Sequence, residues 1–492
     1  MRETLEDQLR RQTRNFSAPL PEDQALALGR DLLRELEKAH AETPARHPPL
    51  GLAEVAFVDG RLVLEGGGAD GTLSEDLFQL GALLYSLAAA KPADVSWRLD
   101  GPPEPPGSSV LRRSLFAALA SPRRERRFAT TGEALAAVET ALAPTLDAAW
   151  PLFRGDPGRR GLAAGTAAPR TLSSLWDAYL GPVVASPVIA AGLVLAVTAD
   201  GRLVWLDPVS GRVLHELKLG SAIESSPAVS GGVLYVGTDD GECVAVDVAA
   251  ARVSWRARIG QVVRSSPLPV EDRVVVGVVE PKGTGGLVAL DDKGKPAWKA
   301  KLPAVFSSAA RSADHVVVGS DDGSVYAVDA AKGAVAWSAA LGGKVRGTPG
   351  VAGDVVYIGD FAGRLSALKA QDGSRVWAAE LGAALYSSPA VTDEVVVLGS
   401  NDGTLHAVDR TSGAVRFQSR TRGPIVASPL ATAGAFVVGS TDGDLYLLDA
   451  AGALLARTSL APGGVSSSAA LAGDRIFVGS ARGLHALRLG TA

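Results

Sequence analysis

Short apolar runs separated by polar, glycine-containing turns fill the chain from residue 182 to residue 488. In the unit Ser387–Val426, the runs Pro389–Val391, Val395–Leu398 and Leu405–Val408 precede a fourth that begins at Val415. The Asn, Asp and Gly residues between the second and third runs tolerate the positive φ of a hairpin turn. Each unit is therefore predicted to form one antiparallel blade of four short strands.

The same unit recurs with a period of about 40 residues. Units begin at residues 185, 225, 265, 307, 347, 387, 427 and 467, and all but the unit at 347 have Ser-Ser or Ser-Pro within their first three residues. A glycine closes the second apolar run, at Gly237, Gly277, Gly319, Gly359, Gly399, Gly439 and Gly479. Since one blade cannot bury both of its faces, the blades must stack around an axis.

The eighth unit stops after its third strand. Trp176 lies ten residues before Ser186, just as Trp255 lies ten residues before Ser265. We therefore predict that Leu175–Leu180 completes the eighth blade, so that strands from both ends close the ring and leave no free sheet edge. The fold predicted for residues 171–492 is a mainly β, eight-bladed β-propeller.

An aromatic residue recurs in the fourth strand, as Trp176, Trp255, Trp298, Trp337, Trp377 and Phe417. We interpret these residues as packing between blades and not as a platform for a sugar or quinone, because every blade poses the same packing problem. Acidic segments such as Asp239-Asp240-Gly241 and Asp321-Asp322-Gly323 are interpreted as hairpin turns. No segment matches the twelve-residue calcium loop with its terminal Glu.

Composition narrows the functional classes. The net charge of -4 and the absence of a basic cluster argue against a nucleic-acid partner. The single cysteine, Cys243, excludes an intramolecular disulfide. The first residues have no apolar stretch after their basic residues, so we expect no signal peptide, no membrane span and a cytoplasmic location.

The segments Ser-Ser-Pro-Ala-Val, Gly-Ser-Asn-Asp-Gly and Ala-Val-Asp of one unit, with the recurrent Trp, resemble the pyrroloquinoline-quinone (PQQ)-type propeller repeat. Trp150–Asp156 resembles the lead-in found before such propellers. The resemblance implies the propeller fold. Its members include quinoprotein dehydrogenases, an outer-membrane assembly lipoprotein and sensor domains.

The resemblance also implies which groups a dehydrogenase of this family would require. Quinoprotein alcohol dehydrogenases typically have a vicinal disulfide, calcium ligands of the Glu, Asn and Asp type, and an Asp base. One cysteine excludes the disulfide, and the regular period leaves only a small insertion at Glu280–Gly286. We therefore expect no enzymatic activity and no cofactor or metal.

One position varies where the repeat is otherwise regular. The residues immediately before the first residue of each unit are Val184, Glu224, Arg264, Phe306, Arg346, Tyr386, Val426 and Ser466. They stand at the entry to the innermost strand and should line one mouth of the central channel. The predicted binding residues are Glu224, Arg264, Phe306, Arg346 and Tyr386, a set that suits a partner loop or an anionic or planar ligand. The alternative is a solvated rim without a ligand.

Charge at this position is uneven. Glu224 is an acidic neighbour for Arg264, whereas Arg346 has no acidic neighbour at the same ring position. Two guanidinium groups repel each other at a narrow opening, so we expect a partner to supply the missing negative charge.

Residues 1–145 have a mainly helical pattern with a β-hairpin at Val55–Leu64. Ser74–Tyr85 resembles the Ser-Asp-Val-Tyr-Ser-Leu-Gly-Val-Val-Leu-Tyr segment in the C-terminal lobe of serine/threonine protein kinases. The matching catalytic Asp, metal-binding Asn and magnesium Asp positions hold Pro49, Glu54 and Gly66. Phosphoryl transfer depends on these groups, so we expect a degenerate, pseudokinase-like lobe, with an unrelated helical domain as the alternative. Residues 146–170 are assigned to a linker and lead-in.

These observations predict a non-catalytic binding, scaffold or sensor protein whose propeller holds a protein partner or small ligand at its channel mouth. The alternatives are a PQQ-dependent oxidoreductase and a propeller of the outer-membrane-assembly type.

Overall fold

The computed structural model describes residues 150–163 and 168–491, the helical residue Arg30, and the backbone of two short strands. These strands, β1 (Val55–Val58) and β2 (Arg61–Leu64), pair antiparallel, which confirms the predicted hairpin. The other N-terminal predictions, including the kinase-like segment at 74–85, lie outside the described residues. The chain divides into two compact units, residues 1–144 and 145–492.

Eight four-stranded antiparallel sheets form the propeller, and we number its blades in chain order. Blade 1 contains β4 (Val188–Ala190), β5 (Leu193–Val197), β6 (Arg202–Leu206) and β7 (Val213–Lys218). Blade 2 contains β8 (Ala228–Ser230), β9 (Val233–Gly237), β10 (Glu242–Asp247) and β11 (Arg252–Arg258). Blade 3 contains β12 (Leu268–Val270), β13 (Arg273–Val279), β14 (Thr284–Leu290) and β15 (Pro296–Pro303), with a 3-10 turn at Pro281–Gly283. Blade 4 contains β16 (Ala310–Ser312), β17 (His315–Gly319), β18 (Ser324–Asp329) and β19 (Val335–Ala340).

The second half of the ring follows the same plan. Blade 5 contains β20 (Gly350–Ala352), β21 (Val355–Gly359), β22 (Arg364–Lys369) and β23 (Arg375–Glu380). Blade 6 contains β24 (Ala390–Val391), β25 (Val395–Gly399), β26 (Thr404–Asp409) and β27 (Val415–Arg420). Blade 7 contains β28 (Leu430–Thr432), β29 (Ala435–Gly439), β30 (Asp444–Asp449) and β31 (Leu454–Ser459). Blade 8 contains β32 (Ala470–Ala472), β33 (Arg475–Gly479), β34 (Leu484–Gly490) and, from earlier in the chain, β3 (Thr171–Ala178).

The ring closes as predicted. Strand β3 pairs antiparallel with β34, and Trp176 lies opposite Ala486. The first strands of neighbouring blades contact one another, so they line the axis while the fourth strands lie outside. The core consists of apolar clusters between adjacent blades. Within the described residues, no helix is long and apolar enough to cross a membrane.

A continuous belt of hydrogen bonds joins the eight first strands. In each blade the hydroxyl of one Ser or Thr accepts the backbone N–H of the equivalent residue in the preceding blade, as in Ser186 N to Ser226 Oγ at 2.9 Å. The eight members of this serine belt are Ser186, Ser226, Ser266, Ser308, Thr348, Ser388, Ser428 and Ser468. The bond from Ser468 back to Ser186 closes the circle at 3.1 Å.

The recurrent aromatics pack between blades, as predicted. The Trp298 indole N–H donates to the Ala330 carbonyl of the next blade at 2.9 Å, and its ring lies against Gly333. Blade 1 differs because its aromatic residue is on the third strand. There Trp205 is fully buried and donates to Val248 O of blade 2 at 3.1 Å.

Residues 150–163, assigned from sequence to a lead-in, occupy the central channel, and we call them the plug. Its carbonyls accept backbone N–H groups from the first strands around the ring. Trp150 O accepts from Ile189, Pro151 O from Val229, Gly158 O from Val351 and Gly161 O from Ala431, at 2.6–2.9 Å. The plug therefore closes the channel at the level of the innermost strands.

Two buried arginines fix the plug. Arg154 donates to the carbonyls of Pro389 and Pro429, both at 2.6 Å, and Arg159 donates to those of Pro267 and Ala309 at 2.7 and 3.2 Å. Burial lowers the pKa of each guanidinium to about 9. Their N–H groups are directed at carbonyls of blades 3, 4, 6 and 7, so they hold the plug to both halves of the ring.

Candidate functional site

Two sets of loops meet at one end of the blades. One set joins the fourth strand of a blade to the first strand of the next, and the other joins the second and third strands within a blade. Backbone hydrogen bonds tie the two sets together, as in Asp239 N to Ala222 O, Asp321 N to Ala304 O and Phe361 N to Lys344 O, at 2.9–3.0 Å. This end contains all the residues predicted to line the channel mouth.

Arg264 lies at this mouth between two carboxylates. Its Nε and Nη2 donate to the two carboxylate oxygens of Asp239 at 3.0 and 2.8 Å. Its Nη1 lies 3.1 Å from Oε2 of Glu224, the neighbour expected from sequence. The hydrogen bond to Asp239 is the main cause of a raised Arg264 pKa, so this guanidinium stays charged and is held in one orientation.

Arg346 is paired in the same way, which corrects the expectation that its counter-charge must come from a partner. Its Nε and Nη2 donate to the carboxylate of Asp321 at 2.8 and 2.7 Å, and this bond is the main cause of a raised Arg346 pKa. Lys344 Nζ lies 3.7 Å from the same carboxylate. Asp321 belongs to the hairpin loop of the preceding blade, so it is not among the equivalent positions around the ring that the sequence pattern compares.

Aromatic rings flank the Arg346 guanidinium. Its Cζ lies 4.4 Å from the centroid of Phe306 and 5.7 Å from that of Phe361. The rings of Phe361 and Tyr386 lie 4.1 Å apart, and Tyr386 is 40% exposed. Phe306, Arg346, Phe361 and Tyr386 form what we call the aromatic–guanidinium stack, in which cation–π contacts add to the ion pair.

The structure therefore brings the five predicted mouth residues into two neighbouring groups, one around Arg264 and one around Arg346. Sequence reasoning missed Asp239, Asp321 and Phe361, which complete both groups. A signal was present, because each of them precedes its partner at the mouth by 25 residues: Arg264, Arg346 and Tyr386 respectively. The sequence pattern alone predicts only hairpin turns at the two aspartates.

The charges at the two groups balance. Arg264, Lys344 and Arg346 face Glu224, Asp239 and Asp321. The mouth is therefore polar and aromatic without a net charge. Such a surface is less suited to a strongly anionic ligand than to a partner with mixed polar and apolar groups.

The described residues do not fit a quinone-and-calcium centre of the kind that the repeat family implies. They contain no group of three or more His, Cys, Asp or Glu side chains arranged to hold a metal ion. Cys243 is free and buried in blade 2, where desolvation raises the pKa of its thiol to about 12. At the mouth, Glu224, Asp239 and Asp321 are each paired with an arginine.

One further group has the geometry of a nucleophilic triad. His485 lies 2.7 Å from Ser480 Oγ through Nε2 and 2.6 Å from Asp177 Oδ1 through Nδ1. Ser480 is only 1% exposed, and blade 6 repeats the arrangement with Ser400, His406 and a Gln418 amide. A group that recurs with an amide in place of the carboxylate, around a buried serine, fits a strand-tying role better than catalysis.

Comparison with known proteins supports this description of the fold. The sequence model of a family described as outer membrane protein assembly factor BamB matches residues 163–310, 283–382 and 361–491. Comparison with curated proteins gave no match.

Several solved structures have similar folds. BamB from Moraxella catarrhalis is 20% identical with a TM-score of 0.56, over 64% of this chain and 99% of that one. A europium-containing methanol dehydrogenase is 12% identical with a TM-score of 0.60, over 67% and 89%. A quinohemoprotein alcohol dehydrogenase from Comamonas testosteroni is 14% identical with a TM-score of 0.60, over 72% and 82%. At these identities the likeness shows the fold alone.

Proposed function

This chain belongs to the family described as outer membrane protein assembly factor BamB, and we propose that its propeller is a non-catalytic scaffold that holds a polypeptide partner at the channel mouth. The observation that carries the proposal is the aromatic–guanidinium stack beside an exposed tyrosine. Tyr and Arg are enriched among the residues that contribute most to protein–protein binding, especially where neighbouring groups hold them in place.

The geometry supports a polypeptide more than a small anion. Both guanidinium groups already have carboxylate partners, so an incoming anion would have to compete with Asp239 and Asp321. Tyr386 offers a flat apolar face with a polar tip, and it lies at the edge of an ordered stack. Such a surface is preorganised, so a partner loses little side-chain entropy of the propeller on binding.

The family description favours a second candidate, a role in outer-membrane protein assembly. A PQQ-dependent oxidoreductase is supported only by a fold shared with dehydrogenases. The first proposal includes a cytoplasmic location and a degenerate kinase-like N-terminal unit. Subcellular fractionation separates the candidates, because the assembly role requires the protein at the outer membrane.

The mouth is tested by the double variant Arg264→Ala/Arg346→Ala. A partner captured by wild type and identified by mass spectrometry should bind this variant at least tenfold more weakly, because loss of a central Arg or aromatic anchor costs about 2 kcal/mol or more. The matched control is Arg252→Ala/Arg375→Ala, which removes the same charge from exposed strand ends of blades 2 and 5 at the opposite end of the propeller. Wild-type affinity in the mouth variant would exclude this site.

A conservative variant separates charge from shape. Arg346→Lys keeps the positive charge but loses the planar fork that binds both oxygens of Asp321 and stacks on Phe306. If the stack carries the binding, this variant should weaken it nearly as much as Arg346→Ala does. Equal binding by wild type and Arg346→Lys would show that only the positive charge at this position matters and that the stacked guanidinium does not.

A further inference from the structure

Blade 3 contains a cleft of about 770 Å³ on the side that faces blade 2. Its apolar lining includes Ile259 from the loop between the blades, with Val278 and Val288 from β13 and β14. Lys299 and Lys301 of β15 and Glu280 of the neighbouring turn are its charged groups. The volume falls within the range of small-molecule sites, and the cleft lies outside the channel mouth.

Three other blades, 1, 2 and 5, fill the equivalent space with an arginine. Arg202 of blade 1 donates to Leu180 O at 2.6 Å, Arg364 of blade 5 to Leu341 O at 2.9 Å, and Arg256 of blade 2 to Leu219 O. Each of these carbonyls belongs to the loop that enters the blade from the preceding one. Ile259 is the equivalent loop residue before blade 3. No side chain of the described residues donates to the Ile259 carbonyl.

The missing arginine follows from the backbone of blade 3. Gly286 pairs with Lys301 as Arg202 pairs with Lys218 and Arg364 with Glu380, so Gly286 holds the position of the filling arginine of blades 1 and 5. Its φ is +145°, and a Cβ there would lie 1.9 Å from Ala300 O. A side chain is therefore excluded at this position, and the cleft is fixed by the backbone.

The same glycine leaves two lysines without a cross-strand acid. In blade 2, Glu242 occupies this position and lies 3.1 Å from Arg256, the counterpart of Lys299. Among the described residues, neither Lys299 nor Lys301 has a carboxylate partner within ion-pair distance. As alternate residues of one strand they project from the same face, about 7 Å apart. With Glu280 counted, the lining carries one net positive charge.

We propose that this cleft binds a small amphipathic monocarboxylate. Its apolar chain lies along Ile259, Val278 and Val288, and its carboxylate lies between Lys299 and Lys301. A single negative charge neutralises the lining, and the apolar chain covers the floor of the cleft. This inference is independent of the function proposed for the mouth.

Lysines on an outer strand also discourage edge-to-edge pairing, as do the prolines that begin and end β15. Protection against edge pairing explains why β15 carries lysines. It does not require the apolar cleft or the glycine pair at 285 and 286. An extended acidic peptide added to β15 is the competing occupant, and the prolines at both ends of the strand argue against it.

The test is isothermal titration calorimetry of the full chain with decanoate, and with decanol as the uncharged ligand of the same chain length. Saturable one-to-one binding of decanoate is expected, with decanol at least tenfold weaker. Lys299→Gln/Lys301→Gln should weaken decanoate binding at least tenfold. The control Lys293→Gln/Lys295→Gln removes the same charge from the hairpin at the other end of blade 3 and should bind as wild type does.

A filling variant tests the location without changing charge. Thr284→Trp places a large ring at the exposed rim of the cleft and should also abolish binding, with thermal denaturation used to confirm that the variant is folded. Absence of saturable decanoate binding to the wild type, equal binding of decanol, or wild-type affinity in the lysine variant would each overturn the proposal. An acidic peptide that binds wild type and fails to bind the lysine variant, with no binding of decanoate, would assign the cleft to the competing occupant and overturn the proposal.

Discussion

The serine belt shows what a repeated residue does in this molecule. The sequence identified these serines as the opening mark of each unit, because they recur every 40 residues. It did not identify their bond, since each hydroxyl accepts from the equivalent residue one blade away. A local sequence pattern predicts the strands well, but it does not show which atoms of residues far apart in the sequence form hydrogen bonds.

The belt makes one residue-level prediction. Ser388 Oγ accepts the N–H of Thr348 at 2.9 Å, and both residues are buried. Ser388→Ala leaves that N–H without an acceptor, so the free energy of unfolding should fall by about 1–3 kcal/mol. Urea denaturation measures the loss. Ser338→Ala, at an exposed position in β19, should change stability by less than about 0.5 kcal/mol.

His406 predicts a pH dependence. It is 1% exposed, and burial lowers its pKa below the ordinary value of 6.5, with Asp402 opposing the shift. Gln418 Nε2 lies 3.1 Å from Nδ1, and the amide can donate only if Nδ1 is unprotonated. As pH falls below about 6.5, the unfolded chain binds a proton that the folded chain does not, so stability falls.

The measurement is the free energy of unfolding between pH 7.5 and 5.5 for wild type and His406→Gln. The loss of stability across this window should be smaller in the variant, because glutamine does not titrate. The aspartates with lowered pKa, such as Asp402 and Asp442, act at lower pH, since their stabilisation is lost below their unfolded pKa of about 4. Parallel curves for the two proteins would show that His406 is not the cause.

At the scale of elements, the sequence predicted the strands, the ring closure and the inter-blade aromatics because each depends on a period that is visible in one dimension. The role of the plug was not predictable in this way. Residues 150–163 have no repeat, and their partners are backbone groups of first strands in at least six blades. For the same reason the sequence predicts a turn at Asp321 but not the pairing of its carboxylate with Arg346.

The plug also shows how an element can be polar and buried. Arg154 and Arg159 have no buried carboxylate partner among the described residues, and their N–H groups are directed at backbone carbonyls instead. Gly161 permits this arrangement, because a Cβ there would lie 2.1 Å from Nη2 of Arg154. The lowered pKa of both guanidiniums records the cost of their desolvation. They remain charged near neutral pH because their pKa values still lie well above it.

For the whole molecule, the plug closes the central channel, whereas β3 closes the ring by completing blade 8. Truncation distinguishes the two effects. A fragment of residues 150–492 keeps both and should unfold at about the temperature of the full-length propeller. A fragment of residues 164–492 lacks the plug. It loses the burial of Trp150 and Leu152, worth roughly 4 kcal/mol, but the desolvation of two arginines disappears with it, and water can reach the freed carbonyls. We therefore expect a monomeric, folded ring with a lower melting temperature.

A fragment of residues 181–492 removes β3 as well, and its effect should differ in kind. Without β3, the edge of β34 and the apolar faces that packed against Trp176 are exposed, and free edges of this type promote association. This fragment should aggregate or lose its cooperative unfolding transition. Calorimetry with size-exclusion chromatography on the three fragments decides the matter. If the fragment of residues 181–492 were monomeric with the melting temperature of the fragment of residues 164–492, pairing between the two ends of the propeller would not be what holds the ring closed.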